Sequence, residues 1–311
     1  MLLLLFQIGE TSSPQKIKRY SVNPKTKVMK TILVPTDFSD QANNALDFAV
    51  DIARHTGDTQ VQVIHIMEGL GHYSFNTTGE VGYTEDEKEI VLSQVLESSN
   101  KQLTELINKE EYADVSLEGK VEVGNPYKGI SKEIARCGAE LVVMGTRGSS
   151  GLTEILIGSN TEKVVRYSKC PVITVKDPIK FDNIRDIVFA TNLTEDQTEI
   201  VERIKKMQSL MGATVHLLKV NTPNHFHTDR QTREEFDKFV QKHGFTDYTT
   251  NIYNEATEED GILYFAEDVH ACMIAIGTHG RTGLLHLLSG SIAEDLVNHS
   301  RIPVWTLSMK K

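Results

Sequence analysis

The chain is poor in cysteine, in net positive charge and in long apolar runs, and each shortage closes off a class of function. Its three cysteines, Cys137, Cys170 and Cys272, are far apart, odd in number and never spaced Cys-x-x-Cys. They read as small buried hydrophobes of a reducing compartment, not as a disulfide framework or a metal site. Lysine and arginine number 33 against 43 acids, a formal net charge of −10. With no basic patch to override it, that balance repels a phosphate backbone, so nucleic acid is not an expected partner. The apolar run Leu2 to Phe6 has no basic region before it and is shorter than a signal core, and no spanning stretch follows. No membrane association is expected, and cytoplasmic residence is. Residues 1–28, polar and lysine-bearing from Glu10 on, read as a disordered leader, with Met29 as a candidate natural start.

What is present is a globular composition, 39% hydrophobic and 24% charged, over 311 residues, a length that predicts two domains. The sequence also repeats itself. Met144-Gly145-Thr146-Arg147-Gly148-Ser149-Ser150-Gly151-Leu152 returns as Ile276-Gly277-Thr278-His279-Gly280-Arg281-Thr282-Gly283-Leu284, 132 residues later. The same offset carries Gly158-Ser159 onto Gly290-Ser291 and Pro171-Val172-Ile173-Thr174-Val175 onto Pro303-Val304-Trp305-Thr306-Leu307. The chain is a duplication: one domain over 29–177, a linker over 178–185 and a second domain over 186–311.

Each half alternates expected strands and helices. In the first, strand 31–35 precedes a helix capped by Ser39, with Ala42, Ala45, Leu46, Ala49, Val50 and Ala53 as its apolar stripe. Strand 60–67 follows, then a helix over 85–109 expected to bury Ile90, Val91, Val95, Leu103, Leu106 and Ile107. Its charged start, Glu85 to Glu89, reads as solvated. Strand 117–123, helix 127–137, strand 140–144, a helix from Ser159 and strand 171–175 close the half. The second half predicts strand 186–190, a helix opened by Thr194 with Gln197 completing a capping box, and strand 214–220. Helix 233–243, strand 248–253, helix 261–269, strand 272–276, a helix from Ser291 and strand 303–307 follow. This alternation predicts mostly parallel sheets covered on both faces, a doubly wound α/β fold in each half.

In such sheets ligands sit beyond the carboxyl ends of the strands, and there the glycines fall. Gly145 and Gly148 follow one strand, and Gly158-Ser159 open a helix. Glycine lets backbone N–H groups line an anion-binding concavity, and a helix N-terminus adds donors and its positive dipole end. Phosphates are the natural guest, and the recurrence of Gly-x2-Gly-x9-Gly-Ser favours binding over turn-making alone.

That spacing, with Val34-Pro35-Thr36-Asp37 ending the first strand and Cys170-Pro171-Val172 leading the last, resembles the ATP-binding type of the universal stress protein family, once per half from about Met29. The resemblance implies flavodoxin-like (Rossmann-like, adenine nucleotide α-hydrolase-like) domains with strand order 3-2-1-4-5, packed through their last strands as an intramolecular pseudo-dimer. It implies a cytoplasmic stress-response role and an adenine nucleotide, ATP, ADP or AMP, with or without magnesium. Carried over by position, Pro35, Thr36 and Asp37 face the adenosine and Val63 and Ile64 to Ile66 flank the base. Gly145, Gly148, Gly158 and Ser159 hold ribose and phosphates, with Arg147 and Asn160 beside them. Gly69 to Thr84 is expected to form a mobile loop over this site. The second half keeps Gly277, Gly280, Gly290 and Ser291 but reads Ala190-Thr191-Asn192 where the acid should recur, leaving a weaker or altered site as the open alternative.

Neither half carries Gly-x4-Gly-Lys-Ser/Thr, a water-positioning residue or a set of magnesium carboxylates, so at most slow hydrolysis or self-phosphorylation is expected. A nucleotide-gated binding module fits best, against a nucleotide-independent scaffold or a nucleotidyl-transfer enzyme. His225 and His227 lack a third ligand nearby and read as an exposed loop pair, not a metal site. A further homodimer of the whole chain and a signalling partner stay open.

Overall fold

The structure is a computed structural model that describes residues 29–68, 85–146, 157–194, 197–279 and 292–309. The leader 1–28 and the loop 69–84 read from the sequence lie outside the described residues. In the first half the order is β1 (Thr31–Thr36), α1 (Asp40–Thr56), β2 (Gln60–Met67), α2 (Glu85–Ile107), β3 (Leu117–Val123), α3 (Pro126–Cys137), β4 (Leu141–Gly145), α4 (Ser159–Tyr167) and β5 (Val172–Val175). The second half repeats it: β6 (Asp186–Ala190), α5 (Thr198–Met211), β7 (Thr214–Asn221), α6 (Asp229–His243), β8 (Tyr248–Asn254), α7 (Glu258–Asp268), β9 (Met273–His279), α8 (Ile292–His299) and β10 (Val304–Met309).

The strands form one ten-stranded sheet in the order β3-β2-β1-β4-β5-β10-β9-β6-β7-β8. Within each half neighbours are parallel, and β5 meets β10 antiparallel with Ile173 opposite Trp305. The expected order 3-2-1-4-5 is thus present twice, back to back. Thr174 and Thr306, repeats of one another, donate their hydroxyls to the carbonyls of Val304 and Val172 at 3.3 and 3.5 Å, a reciprocal pair about a local twofold. Arg166 of α4 forks onto Glu294 of α8 at 2.5 and 2.9 Å, bridging the halves on one face of the sheet.

Helix ends follow from local chemistry. The Ser39 hydroxyl accepts from Ala42 N–H at the start of α1, and Gly57, at φ 74°, supplies the left-handed residue that ends it. Thr228 and Gln231 form a reciprocal capping box, so α6 starts at Asp229, earlier than the apolar spacing indicates. The capping box expected at Thr194 and Gln197 does not form. Gln197 precedes α5 without a side-chain cap bond, because its amide is engaged at the tip of β6.

Two further expectations change. Ile90 and Val95 are exposed, at 56% and 45%. The 23-residue α2 is about 35 Å long, whereas the seven-residue β3 is about 23 Å, and among the described side chains of α2 only Ser99, Leu103 and Leu106 are buried. Residues 178–185, read as a linker, contain a helical turn, Phe181–Asn183. Phe181 is buried, its N–H donates to Asp51 at 2.7 Å and its ring stacks on His55. Cys170 is buried, its thiol donating to the Ala139 carbonyl, and burial pushes its pKa up to about 12. Among the described residues no helix is long and apolar enough to cross a membrane.

Trp305, the single tryptophan, is 1% exposed, and its indole N–H has no partner among the described residues. Trp305→Ala should destabilise the chain by about 3–5 kcal/mol through the cavity it leaves at the seam. Trp305→Phe should cost far less, since no hydrogen bond is lost. Urea titrations followed by far-UV circular dichroism would read both values. In the unaltered chain tryptophan emission should change together with the dichroism; emission changing first would mean the halves part before they unfold.

Candidate functional site

β1, β2 and β4 end along one edge of the sheet, where a cleft of about 390 Å³ opens. Its lining is Pro35, Thr36, Asp37, Ala42, Ile64, Ile66, Glu68, Pro126, Ile130, Met144, Gly145, Gly158, Ser159, Asn160 and Thr161. One wall is the turn from β1 into α1. The Thr36 hydroxyl accepts from Phe38 N–H at 3.0 Å, and the Asp37 carboxylate accepts from the Ser39 N–H and hydroxyl at 3.1 and 2.6 Å. The turn closes with Phe38 at φ 64°, a conformation few non-glycine residues adopt. The strained backbone is held by these three side-chain bonds, and Thr36 and Asp37 line the cleft.

The opposite wall is the join from β4 to α4. The Gly158 N–H donates to the Thr146 carbonyl at 2.8 Å, and the Thr161 hydroxyl donates to the Gly145 carbonyl at 3.0 Å. Gly158 is the N-cap of α4 and has no side chain to cap it. The first turn of a helix carries N–H groups without intrahelical partners and the positive end of the dipole, and here Ser159, Asn160 and Thr161 bring that turn to the cleft. Gly145 is glycine for a packing reason. A Cβ there would lie 2.9 Å from the Gln41 carbonyl carbon and 3.0 Å from the Ala42 nitrogen. Gln41 also accepts from the Thr146 hydroxyl at 2.8 Å, fastening α1 to the end of β4.

The floor is apolar, and α3 closes the side. Gly129 permits its approach: a Cβ there would lie 2.5 Å from Ile66 Cδ1, as one at Gly261 would lie 2.5 Å from Val220 Cγ1 in the second half. α3 starts with Asn125 as N-cap and Pro126 in its first turn. It is anchored by Glu133, only 1% exposed, which accepts from Arg136 and Lys120. The Arg136 guanidinium holds this carboxyl below the usual range against the opposing push of burial, with Lys120 adding to the effect.

Of the residues predicted for the site, Pro35, Thr36, Asp37, Ile64, Gly145, Gly158, Ser159 and Asn160 meet at this cleft. Val63 does not. Alternate residues of β2 face opposite ways, and Val63 lies in the core beneath α1 while Ile64 and Ile66 face the cleft. Arg147, Gly148, Gly280, Gly290 and Ser291 lie outside the described residues. Gly277 sits in β9 opposite Leu307. Ala42, Glu68, Pro126, Ile130, Met144 and Thr161 were not read as site residues. For Pro126 and Ile130 a signal existed: Gly129 and Gly261 carry the same 132-residue offset as the matched glycine segments.

The second half repeats the β1 turn despite the changed acid. Leu193 takes φ 60°, Thr191 accepts from Leu193 N–H at 3.0 Å, and the Asn192 amide oxygen accepts from the Thr194 N–H and hydroxyl at 3.3 and 2.8 Å. An amide oxygen serves this turn as a carboxylate does.

A duplicated doubly wound α/β chain, joined through its last strands and bearing a ligand-sized cleft at the carboxyl edge, defines the class of protein. The particular family follows from comparison: the universal stress protein family model matches residues 29–176 and again 183–308, and the chain belongs to that family. It is 23% identical over 290 residues to a universal stress protein of Synechocystis sp., covering 89% of this chain and 99% of that protein. It is 34% identical over 161 residues to one of Methanocaldococcus jannaschii, covering 47% of this chain and 94% of that protein. In fold it is similar to a universal stress protein of Archaeoglobus fulgidus, with a TM-score of 0.67 and 21% identity over 89% of this chain and 96% of that one.

Gly145→Ala should destabilise the ligand-free chain by about 1–3 kcal/mol, because the added methyl meets α1 backbone that cannot yield cheaply. Differential unfolding of the two chains by urea reads it; an unchanged midpoint would show that the added methyl is accommodated. Glu133 makes a pH prediction. Its folded pKa is depressed, so its contribution is complete above the unfolded value of about 4.3 and is lost as pH falls through the folded one. The stability gap between the unaltered chain and Glu133→Gln should therefore be constant near neutrality and narrow below about pH 4.3.

Proposed function

We propose that the chain binds an adenine nucleotide in the cleft of its first half and works as a nucleotide-dependent module of a stress response, with at most slow hydrolysis. The observation that carries this reading is the pairing of two unlike walls across one cleft. On one side the uncapped N-terminus of α4, with Ser159 and Asn160, suits phosphate oxygens. On the other, Thr36 and Asp37 present a hydroxyl and a carboxylate suited to nucleoside hydroxyls and amines, over an apolar floor of Ile64, Ile66, Ile130 and Met144 suited to a base. About 390 Å³ lies within the usual range for small-molecule sites. Magnesium, if taken, would arrive with the phosphates, since no described group of three or more His, Cys, Asp or Glu side chains could hold a metal ion.

The pairing of β5 with β10 supports an internal pseudo-dimer as the working unit. A cytoplasmic setting belongs to the same reading and rests on three free cysteines. Slow turnover rests on the missing lysine-bearing phosphate loop.

Titration calorimetry with ATP, ADP and AMP tests the proposal. High-affinity binding is expected, lost in Gly158→Val, where a branched side chain would meet the phosphates, and kept in Gly290→Val. Phosphate release should stay well below the roughly 1–100 s⁻¹ of kinases. No heat with any of the three nucleotides, or equal losses from the two substitutions, would defeat it.

A further inference from the structure

The repeat allows the two halves to be compared wall by wall. Ile32 lies opposite Leu141 as Ile187 lies opposite Met273, and the left-handed residues Phe38 and Leu193 fall at matching places after those anchors. Counting on without a gap, Ala42 of the cleft corresponds to Gln197. The buried stripes agree: Ala42, Ala45, Leu46 and Ala49 match Gln197, Ile200, Val201 and Ile204. On the other side, the contacts of Gly129 with Ile66 and of Gly261 with Val220 equate Glu68 with Thr222 and Pro126 with Glu258.

At two of these positions, Ala42 and Pro126, the first half carries a small residue where the second carries a longer polar one, and at the third Thr222 stands where Glu68 does and bonds to Glu258. Gln197 is 4% exposed. Its amide oxygen accepts from the Thr191 hydroxyl at 2.5 Å and its amide nitrogen donates to Asn192 Oδ1 at 2.7 Å. These are the counterparts of Thr36 and Asp37, so the side chain lies where a ligand would meet them. Across from it, Glu258 accepts from the Thr222 hydroxyl at 3.2 Å and pairs with His225 Nδ1 at 3.0 Å. In the first half the Thr36 hydroxyl accepts from Phe38 and donates to no group among the described residues. In the second, Thr191 is used both ways.

We propose that Gln197, together with the Thr222–Glu258–His225 bridge, closes the second half to nucleosides, so that the chain takes one nucleotide and not two. This rests on the nucleotide reading of the first cleft. Gln197 is the specificity-determining residue: the second half is shut by a side chain in the place of Ala42, more than by the exchange of Asp37 for Asn192, which keeps the same turn. Opening it would strip two hydrogen bonds from a buried amide and leave the Thr191 hydroxyl proton unpaired, a cost that a nucleoside would have to repay before gaining affinity.

Calorimetry with ATP reads the stoichiometry. The unaltered chain should take one equivalent, and Ala42→Gln, which builds the second-half plug into the first, should take none. Gln197→Ala with Glu258→Pro, restoring the first-half residues, should raise the count toward two. Thr257 is already extended, so proline at 258 suits the start of α7. Gln197→Ser is the milder alternative, and Trp305 emission with far-UV dichroism certifies that each variant is folded. Two equivalents in the unaltered chain would overturn the proposal without any substitution at the plug, as would a count held at one in a folded Gln197→Ala/Glu258→Pro chain. A chain that binds no ATP in any form would instead remove the nucleotide reading, and this inference with it.

Discussion

The antiparallel join of β5 to β10 is the contact on which the rest of the molecule depends. Each half ends in a short, apolar strand that would be an aggregation-prone edge if left unpaired. Joined, the two edges disappear into the middle of a ten-stranded sheet whose outer strands, β3 and β8, are largely polar. Trp305 and Ile173 meet at the join with almost no exposure, and Thr174 and Thr306 cross-bond its carbonyls. Arg166 with Glu294 and the contact of the Lys176 ammonium with the Asn298 carbonyl add bonds from one half to the other. The halves therefore share one core on each face of the sheet.

Duplication gave both halves the same scaffold, and small side-chain differences at its carboxyl edge separate their roles. The strained turn after the first strand, the glycine that lets the third helix of each half approach the sheet, and the N-caps before those helices are all repeated. What differs is the volume and polarity of the wall. Alanine and proline leave space, whereas glutamine bonds to Thr191 and Asn192 and glutamate to Thr222 and His225. A cleft is thus kept or lost without altering a strand, because glutamine at 197 brings four more side-chain heavy atoms than alanine at 42.

Much of this was legible beforehand. The repeat offset, the alternation of strand and helix patterns and the Gly158-Ser159 start of α4 follow from residue type and spacing, whereas the strand order and the β1 positions at the cleft are what the family resemblance implies. Three readings failed for physical reasons. Val63 was taken with Ile64 because spacing along a strand does not say which face meets the ligand. Ile90 and Val95 fit a helical stripe, but α2 outruns the strand that would cover them. Thr194 and Gln197 fit a capping box, yet the Gln197 amide found buried partners at the strand tip, which outcompete a cap in water.

The sequence by itself determined the duplication, the doubly wound α/β class and the glycine-marked edge, because these rest on periodicity and local backbone preference, which neighbours in the chain dictate. Tertiary structure alone decided that Ala42, Glu68 and Pro126 border a cleft and that Gln197, Thr222 and Glu258 fill its counterpart. Those residues are distant in sequence, and only the register of the strands brings them to face one another.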